Sequence, residues 1–218
     1  MELLVQWKIF LFQKKYKNSS DGKIMSRLLS GVVKRKDGIM IWASMDINEK
    51  VELSAYSPHW IALFQSERAY LQNSITNYRP VIEHIGSTAI PEMYAKPVVD
   101  IMVGLKEYPI ADDIIEIMLS HGYRHHGEAG VTGRTYFTKR QEKGNFNAHI
   151  TLLGGVVWND NLLLRDYLIN HREVAESYSK LKQKIIESGA DTLLEYSEKK
   201  SNFILRMIEE ARIDSCFK

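Results

Sequence analysis

The sequence predicts a mixed α/β (α+β) domain in which a small β-sheet is flanked by helices. Two short apolar runs, residues 81–85 and 98–105, have the length and composition of buried strands, and a loop of small and hydroxyl residues separates them. Helical periodicity precedes them in residues 59–78 and returns in two long C-terminal stretches, approximately 159–188 and 191–212. Helices on both sides of a group of strands favour one layered core.

The remaining elements follow from local patterns. Residues 51–58 have the pattern of a short strand that ends at a proline, and residues 109–121 that of an amphipathic helix. A glycine-rich stretch, residues 127–133, predicts a turn or loop. Residues 134–140 and 147–153 then predict two strands joined as a hairpin.

Length and cysteine content limit the class of protein. A chain of 218 residues is long enough for one sizeable core. Its single cysteine, Cys216, excludes an intrachain disulfide and a cysteine-based zinc site, and it fits a reducing compartment, so we expect a cytoplasmic location. The apolar segment near the N-terminus is about ten residues long, half of what a transmembrane helix needs, so no transmembrane segment is expected.

The charge is distributed unevenly along the chain. Residues 1–45 contain nine Lys and Arg against three Asp and Glu, whereas residues 46–218 contain 20 against 24. We therefore predict a basic, poorly ordered N-terminal extension over 1–45 and one folded domain over 46–218. A contact of the extension with a membrane surface or a polyanion is the alternative. A net charge of +2 gives no support for nucleic acid as the partner, and the oligomeric state is left open.

The loop between the first two strands carries the candidate chemistry. Gly86 lets a backbone approach a ligand closely, while Ser87 and Thr88 add hydroxyl donors, a combination that suits phosphate. Lys96 can supply a positive charge, and Asp100, inside the following strand, is a hard oxygen ligand for Mg²⁺. The alternatives are that Gly-Ser-Thr is an ordinary turn and that the carboxylate pairs with a structural arginine.

Two further residues are candidates on weaker grounds. His149 lies in the strand predicted at 147–153, where alternation places it on the same face as residue 147; it can act as ligand, acid or base, or be a hydrogen-bonded strand histidine. Arg165 can clamp a phosphate, or it can form an internal ion pair with Asp100 or Glu83. The lysines of the long helices, Lys182 and Lys199 among them, are expected on solvated faces.

Several segments resemble the GrpB family of the nucleotidyltransferase-fold superfamily, in the family's order and over about residues 51–208. The matching segments are Y-x-x-H-W and F-x-x-E between Tyr56 and Glu67, HIGSTAIP and AKPVVDI, GY at 122–123, RTYFTK, AHITLL, Trp158 followed by LRDYLINH, Y-x-x-LK, and Y-x-x-K ending at Lys199. One departure is Asn147, where relatives commonly have the first histidine of a His-x-His pair.

The resemblance implies a nucleotidyltransferase-like fold in which a Gly-Ser turn holds the triphosphate of a nucleotide and two carboxylates hold metal. Asp100 matches the first carboxylate, but the second position is Met102, which cannot bind Mg²⁺. Glu83 or Asp166 could add a second carboxylate, and a one-metal transferase is the alternative. The predicted function is therefore a nucleotidyltransferase with Mg²⁺ and an unknown acceptor. The alternative is a non-catalytic nucleotide-sensing or interaction module near coenzyme A or nucleotide metabolism. The expected residues are Asp100 and His149 for catalysis, Asp100 for metal, and Gly86, Ser87, Thr88, Lys96 and Arg165 for phosphate.

Overall fold

The computed structural model describes residues 33–35, 38–40, 51–189 and 193–216. The first two segments are the strands β1 (Val33–Arg35) and β2 (Gly38–Met40), which pair antiparallel. The rest of the predicted extension, and with it the expectation that residues 1–45 are poorly ordered, lies outside the described residues.

The core of the domain is a five-stranded mixed sheet. Its strands are β3 (Val81–Ile85), β4 (Val99–Leu105), β5 (Arg124–His125), β6 (Arg134–Gln141) and β7 (Gly144–Leu152). Their order across the sheet is β3-β4-β7-β6-β5. The β4–β7 pair is parallel and the other three pairs are antiparallel, with a two-residue turn joining β6 to β7 as the sequence predicts for a hairpin.

Within the part of the chain that the structure describes, five α-helices accompany the sheet. They are α1 (His59–Ser74), α2 (Asp112–Ser120), α3 (Val156–Asn170), α4 (Arg172–Glu187) and α5 (Leu193–Cys216). The predicted class, a mixed sheet flanked by helices, is confirmed. No helix in the described part of the chain is both long and apolar enough to cross a bilayer.

Because side chains alternate along the central strands, the two faces of the sheet pack against different helices. On β4, Val99, Ile101 and Val103 are buried in one hydrophobic cluster with residues of α1 and α2. Met102, between them, packs instead against Trp158 of α3. Since side chains alternate along a strand, Asp100 shares the α3 face with Met102. The α1/α2 face is therefore the main core, and the α3 face carries the predicted site.

Two predicted elements differ from the structure. The helix expected over 159–188 is divided at His171, whose extended backbone (φ −122°, ψ 80°) ends α3 immediately before α4 begins, so three helices rather than two close the chain. Residues 51–58 form no strand; Ser54 makes a single antiparallel bridge with Ala95. A pattern of apolar residues cannot reveal a break that one residue's backbone makes, nor whether a short segment finds a partner strand.

Candidate functional site

A cavity of about 690 Å³ lies between the α3 face of the sheet and the C-terminal helices. The polar residues of its lining include Gly86, Ser87, Asp100, Arg134, His149 and Lys200. Helices α3 and α5 contribute leucines and isoleucines as well as the charged residues Asp160, Arg165 and Arg212. A mostly apolar cleft with a few convergent polar groups has the form of a small-molecule site.

The turn after β3 positions the floor of this cavity. Gly86 has φ +71°, a conformation that side chains disfavour. A Cβ at this position would lie 2.5 Å from Asp100 Oδ2. Glycine is therefore required both by its backbone and by the approach of the carboxylate, and the sequence's Gly-Ser and Asp stand side by side in space.

Asp100 is held by two donors. Its Oδ1 accepts hydrogen bonds from Asn147 Nδ2 at 2.7 Å and from His149 Nε2 at 3.4 Å. Burial raises the pKa of Asp100, but the hydrogen bonds from His149 and Asn147 and the charge of Lys96 outweigh burial and lower the pKa to about 2. Asp100 is therefore a carboxylate at neutral pH.

Each of these two donors is itself hydrogen-bonded to an arginine. Arg140 donates to Asn147 Oδ1 at 3.0 Å, which leaves the amide nitrogen for Asp100. Arg134 Nη1 lies 3.3 Å from His149 Nδ1. A guanidinium has no acceptor, so Nδ1 accepts and the ring proton is on Nε2, facing Asp100. Burial and the charge of Arg134 lower the pKa of His149 against the opposing effect of Asp100. His149 is thus a neutral donor to Asp100.

Met102 occupies the position at which the family resemblance implies a second metal-binding carboxylate. Met102 is fully buried against Ile85 and Trp158. Among the residues that the structure describes, no group of three or more His, Cys, Asp or Glu is arranged to hold a metal ion. Glu83 and Asp166, which the sequence offers as additional ligands, both pair with Arg165 instead.

Arg165 adopts the ion-paired alternative. Its Nη1 donates to Glu83 Oε2 at 2.8 Å and to the carbonyl of His84 at 3.1 Å, while Nε donates to Asp166 at 2.7 Å. The side chain lines the cavity but ties α3 to β3. Its predicted part in phosphate binding would require sharing the guanidinium with these carboxylates.

Thr88 and Lys96 lie behind the cavity wall. Thr88 is 1% exposed and its hydroxyl is hydrogen-bonded to His84 Nε2 at 3.0 Å, so it stabilises the turn from within. Lys96 does not line the cavity, although its charge acts on Asp100 and on Lys200. The structure therefore gathers Gly86, Ser87, Asp100, His149 and Arg165 in one place and leaves Thr88 and Lys96 at its periphery.

The expectation that Lys182 is solvated is wrong. Lys182 is 1% exposed, and its Nζ donates to Ser87 Oγ at 3.0 Å and to the carbonyl of Tyr94. Burial, followed by the charge of Lys200, lowers its pKa to about 7. The sequence contained a signal: the buried stripe of α4 runs through Ala175, Tyr178, Ser179, Lys182 and Ile185, at helical spacing.

Two other cationic residues of the site were not predicted. Arg134 was visible only as the first residue of a strand motif. Lys200 lines the cavity, and burial and the charge of Lys96 lower its pKa to about 8 against the effect of Asp100. Its neighbour Lys199, the residue that the motif matched, is exposed and bonded to Ser188. Adjacent lysines on a helix point about 100° apart, which the motif alone does not distinguish.

The mixed sheet and the Gly-Ser turn facing a strand carboxylate define an α+β domain with a polar cleft on one face of its sheet. The model of the family described as GrpB protein matches residues 50–210, so the chain belongs to the GrpB family, as its motifs predict.

Comparisons with individual proteins support the same family assignment. The UPF0157 protein YqkA of Bacillus subtilis is 32% identical over 163 residues, 75% of this chain and 48% of that protein, so the chain spans about half the length of this relative. The glutamate-rich protein GrpB of Alkalihalophilus pseudofirmus is 28% identical over 166 residues, 74% of this chain and 95% of that protein. A crystal structure of the conserved protein GrpB from Enterococcus faecalis is 28% identical, with a TM-score of 0.69, and the match covers 77% of this chain and all of that one.

Proposed function

We propose that the cavity binds a nucleotide or a related phosphorylated small molecule, with its phosphates on the Gly86–Ser87 turn and one Mg²⁺ on Asp100. The observation that carries this proposal is the excess of cationic groups around the turn. Lys182 bonds to Ser87, while Arg134 and Lys200 line the same cavity as Ser87.

The charges near the turn favour a polyanion. Arg165 and Arg212 also line the cavity, but they are neutralised by Glu83 and Asp166 and by Asp160, respectively. Lys182 has neutral oxygens as its hydrogen-bond acceptors. Burial without a carboxylate partner lowers the pKa of Lys182 to about 7, and a phosphate bound beside Ser87 would favour the charged form of the amine.

Asp100 fits a metal only together with such a ligand. Mg²⁺ in nucleotide sites is often bound by one or two carboxylates plus substrate phosphates, with water completing the shell. Asp100 is ionised, and its second oxygen faces the Gly86 backbone, where the phosphates would lie. A bound Mg²⁺ would neutralise phosphate charge there. Asp100 provides one such carboxylate, whereas Glu83 and Asp166 are engaged by Arg165.

Nucleotidyl transfer to an unknown acceptor remains the first candidate reaction. The buried Met102 favours a second candidate, a module that binds a nucleotide without turnover, since two-metal transfer needs several anionic oxygens to hold ions about 3.5–4 Å apart. Release of pyrophosphate from a bound nucleoside triphosphate distinguishes the two. Transfer predicts release that depends on Asp100, and the module predicts binding without release.

Binding is tested by thermal unfolding with nucleoside tri-, di- and monophosphates, each with and without Mg²⁺ or Mn²⁺. A ligand at 100 times its dissociation constant stabilises the folded protein by about 2.7 kcal/mol, which gives a readable shift in Tm. We expect a shift with at least one nucleotide that is larger in the presence of metal.

The control is a matched pair of carboxylate variants. Asp100→Asn should remove the metal-dependent part of the shift. Asp160→Asn changes a carboxylate that lines the same cavity but is paired with Arg212, and it should retain that part. The absence of any nucleotide shift, or equal behaviour of the two variants, would contradict the proposed site.

A further inference from the structure

Ser87 and Lys182 form a pair that nucleotide binding alone does not require. The hydroxyl stands at the start of a tight turn after β3 and lines the cavity. Lys182 approaches it from α4, with Nζ 3.0 Å from Ser87 Oγ. A phosphate-binding lysine ordinarily directs its ammonium at the ligand, whereas this one is directed at the hydroxyl.

The surroundings of Lys182 suit a base. The amine is 1% exposed and lies over the Tyr178 ring at 4.6 Å. Within the described part of the chain it forms no ion pair with a carboxylate; Ser87 Oγ and the Tyr94 carbonyl are its acceptors. Tyr94 is itself held, because its backbone nitrogen donates to Ser179 of α4 at 3.2 Å. A desolvated lysine beside a serine is a known way of activating the hydroxyl.

We propose that Ser87 is a nucleophile and Lys182 its general base, so that the Gly86–Ser87 turn attacks a phosphorus centre of the bound ligand. Ser87 Oγ forms a bond to phosphorus, its proton moves to Lys182 Nζ, and the bond to the leaving group breaks with the electron pair on that group. With a nucleoside triphosphate attacked at the α-phosphorus, the leaving group is pyrophosphate and the product is a Ser87 phosphodiester. The inference rests on the proposed function for its natural ligand and makes Ser87 the first acceptor.

The charge change favours a phosphorus electrophile. As the oxygens on phosphorus gain negative charge in the transition state, the neutral amine becomes an ammonium about one hydrogen bond away. Lys200 and Arg134 both line the cavity and add positive charge there, although the Arg134 guanidinium is already hydrogen-bonded to His149 and to the carbonyls of Glu128 and Ala129. Donors placed where charge develops are worth more inside a cleft than in water.

The test uses a fluorophosphonate probe, which reports an activated serine without needing nucleotide affinity. Attack by Ser87 expels fluoride, and peptide mass spectrometry locates the adduct. We expect labelling of Ser87 that is lost in Ser87→Ala and slowed about 100-fold or more in Lys182→Met, the usual range for loss of a general base. Ser197→Ala, at a second serine lining the cavity, should label at the wild-type rate.

A measurement on the unchanged chain guards against a misfolded variant. Since only the neutral amine can accept the proton, the wild-type labelling rate should rise with pH around the Lys182 pKa of about 7 and level off above it. No adduct at Ser87, a rate that ignores pH between 6 and 9, or a Lys182→Met variant that labels normally would overturn the proposal. Because the probe needs no nucleotide, failure here with a nucleotide shift in Tm would leave the binding function standing.

Discussion

Two buried lysines lie on opposite faces of the sheet and have opposite surroundings. Lys139 of β6, on the α1/α2 face, donates to Glu67 at 2.9 Å, and Tyr123 donates to the same carboxylate oxygen. Lys182 of α4 has Ser87 and the Tyr94 carbonyl as acceptors and Lys200 as its charged neighbour. Both side chains are withdrawn from water to a similar degree.

This difference in surroundings assigns Lys139 to a structural ion pair and Lys182 to the candidate ligand site. Lys139 belongs to a closed network in which each charge has its counterpart, and rings of Tyr70, Tyr123 and Phe146 surround its Nζ at 5.1–5.7 Å. Lys182 has no carboxylate partner within the described part of the chain, and its acceptor Ser87 lines the cavity. A buried cation with a partner stabilises the fold, whereas one without a partner and beside a cleft marks a candidate ligand site.

The largest expected effect is at the paired lysine. Lys139→Met leaves Glu67 buried without its cation, and loss of one member of a buried pair costs about 3–5 kcal/mol. Urea unfolding at pH 7 measures the change in the free energy of unfolding. Lys143→Met, at the exposed turn of the same hairpin, should change it by less than about 0.5 kcal/mol. A loss below about 1 kcal/mol at Lys139 would contradict a structural role for this pair.

Gly86→Ala should be next in size. The substitution places a Cβ at φ +71° and 2.5 Å from Asp100 Oδ2, so we expect a loss of about 2–3 kcal/mol from backbone strain and displacement of the carboxylate. Gly154→Ala shares the strain at φ +73°, but nothing lies within 4 Å of its Cβ. Equal losses in the two variants, measured by thermal or urea unfolding, would show that Asp100 does not crowd Gly86.

The unpaired lysine predicts a pH dependence of stability. Its pKa is about 7 when folded and has the ordinary value of 10.5 when unfolded. Between these values the unfolded chain binds more protons, so stability rises with pH. Relative to Lys182→Met, the wild type should gain about 2 kcal/mol between pH 7 and pH 9. Urea unfolding of both proteins at the two pH values measures it, and parallel stability curves would refute the uncompensated state of Lys182.

The smallest expected effect is on nucleotide affinity, and it distinguishes Lys200 from the adjacent Lys199. Lys200→Met removes a charge from the cavity wall and should weaken nucleotide binding about tenfold, or about 1.4 kcal/mol. Lys199→Met removes an exposed charge and should leave the dissociation constant unchanged. Titration calorimetry with the nucleotide that gives the largest Tm shift compares them. Equal weakening by both would mean that the charge near the site acts only at long range.

The face of the sheet on which each side chain of β4 and β7 lies could be predicted from sequence, because side chains alternate between the two faces along a strand. This alternation placed His149 and Asn147 on one face, and both donate to Asp100. The sequence offered Asp100 or Glu83 as an ionic partner of Arg165, but it could not decide between them. Arg165 and Glu83 are 82 positions apart in sequence, and Lys182 meets Ser87 across 95 positions. The charge of Lys182 predicts a solvated side chain. The position of Lys182 on the buried stripe of α4 is decisive only when it is known that α4 packs against the turn after β3.

The titration of Lys182 is the most direct test, since the site depends on a buried lysine whose pKa is lowered to about 7 beside Ser87. Carbon-13 labelling of the lysine side chains allows their titration to be followed by NMR, with Lys182→Met to assign the signal. We expect the resonance that disappears in the variant to titrate near pH 7, far below the ordinary lysine value of 10.5. If the signal lost in Lys182→Met titrates near 10.5, the lysine is an ordinary charged residue, and both the uncompensated site and the activation of Ser87 are contradicted.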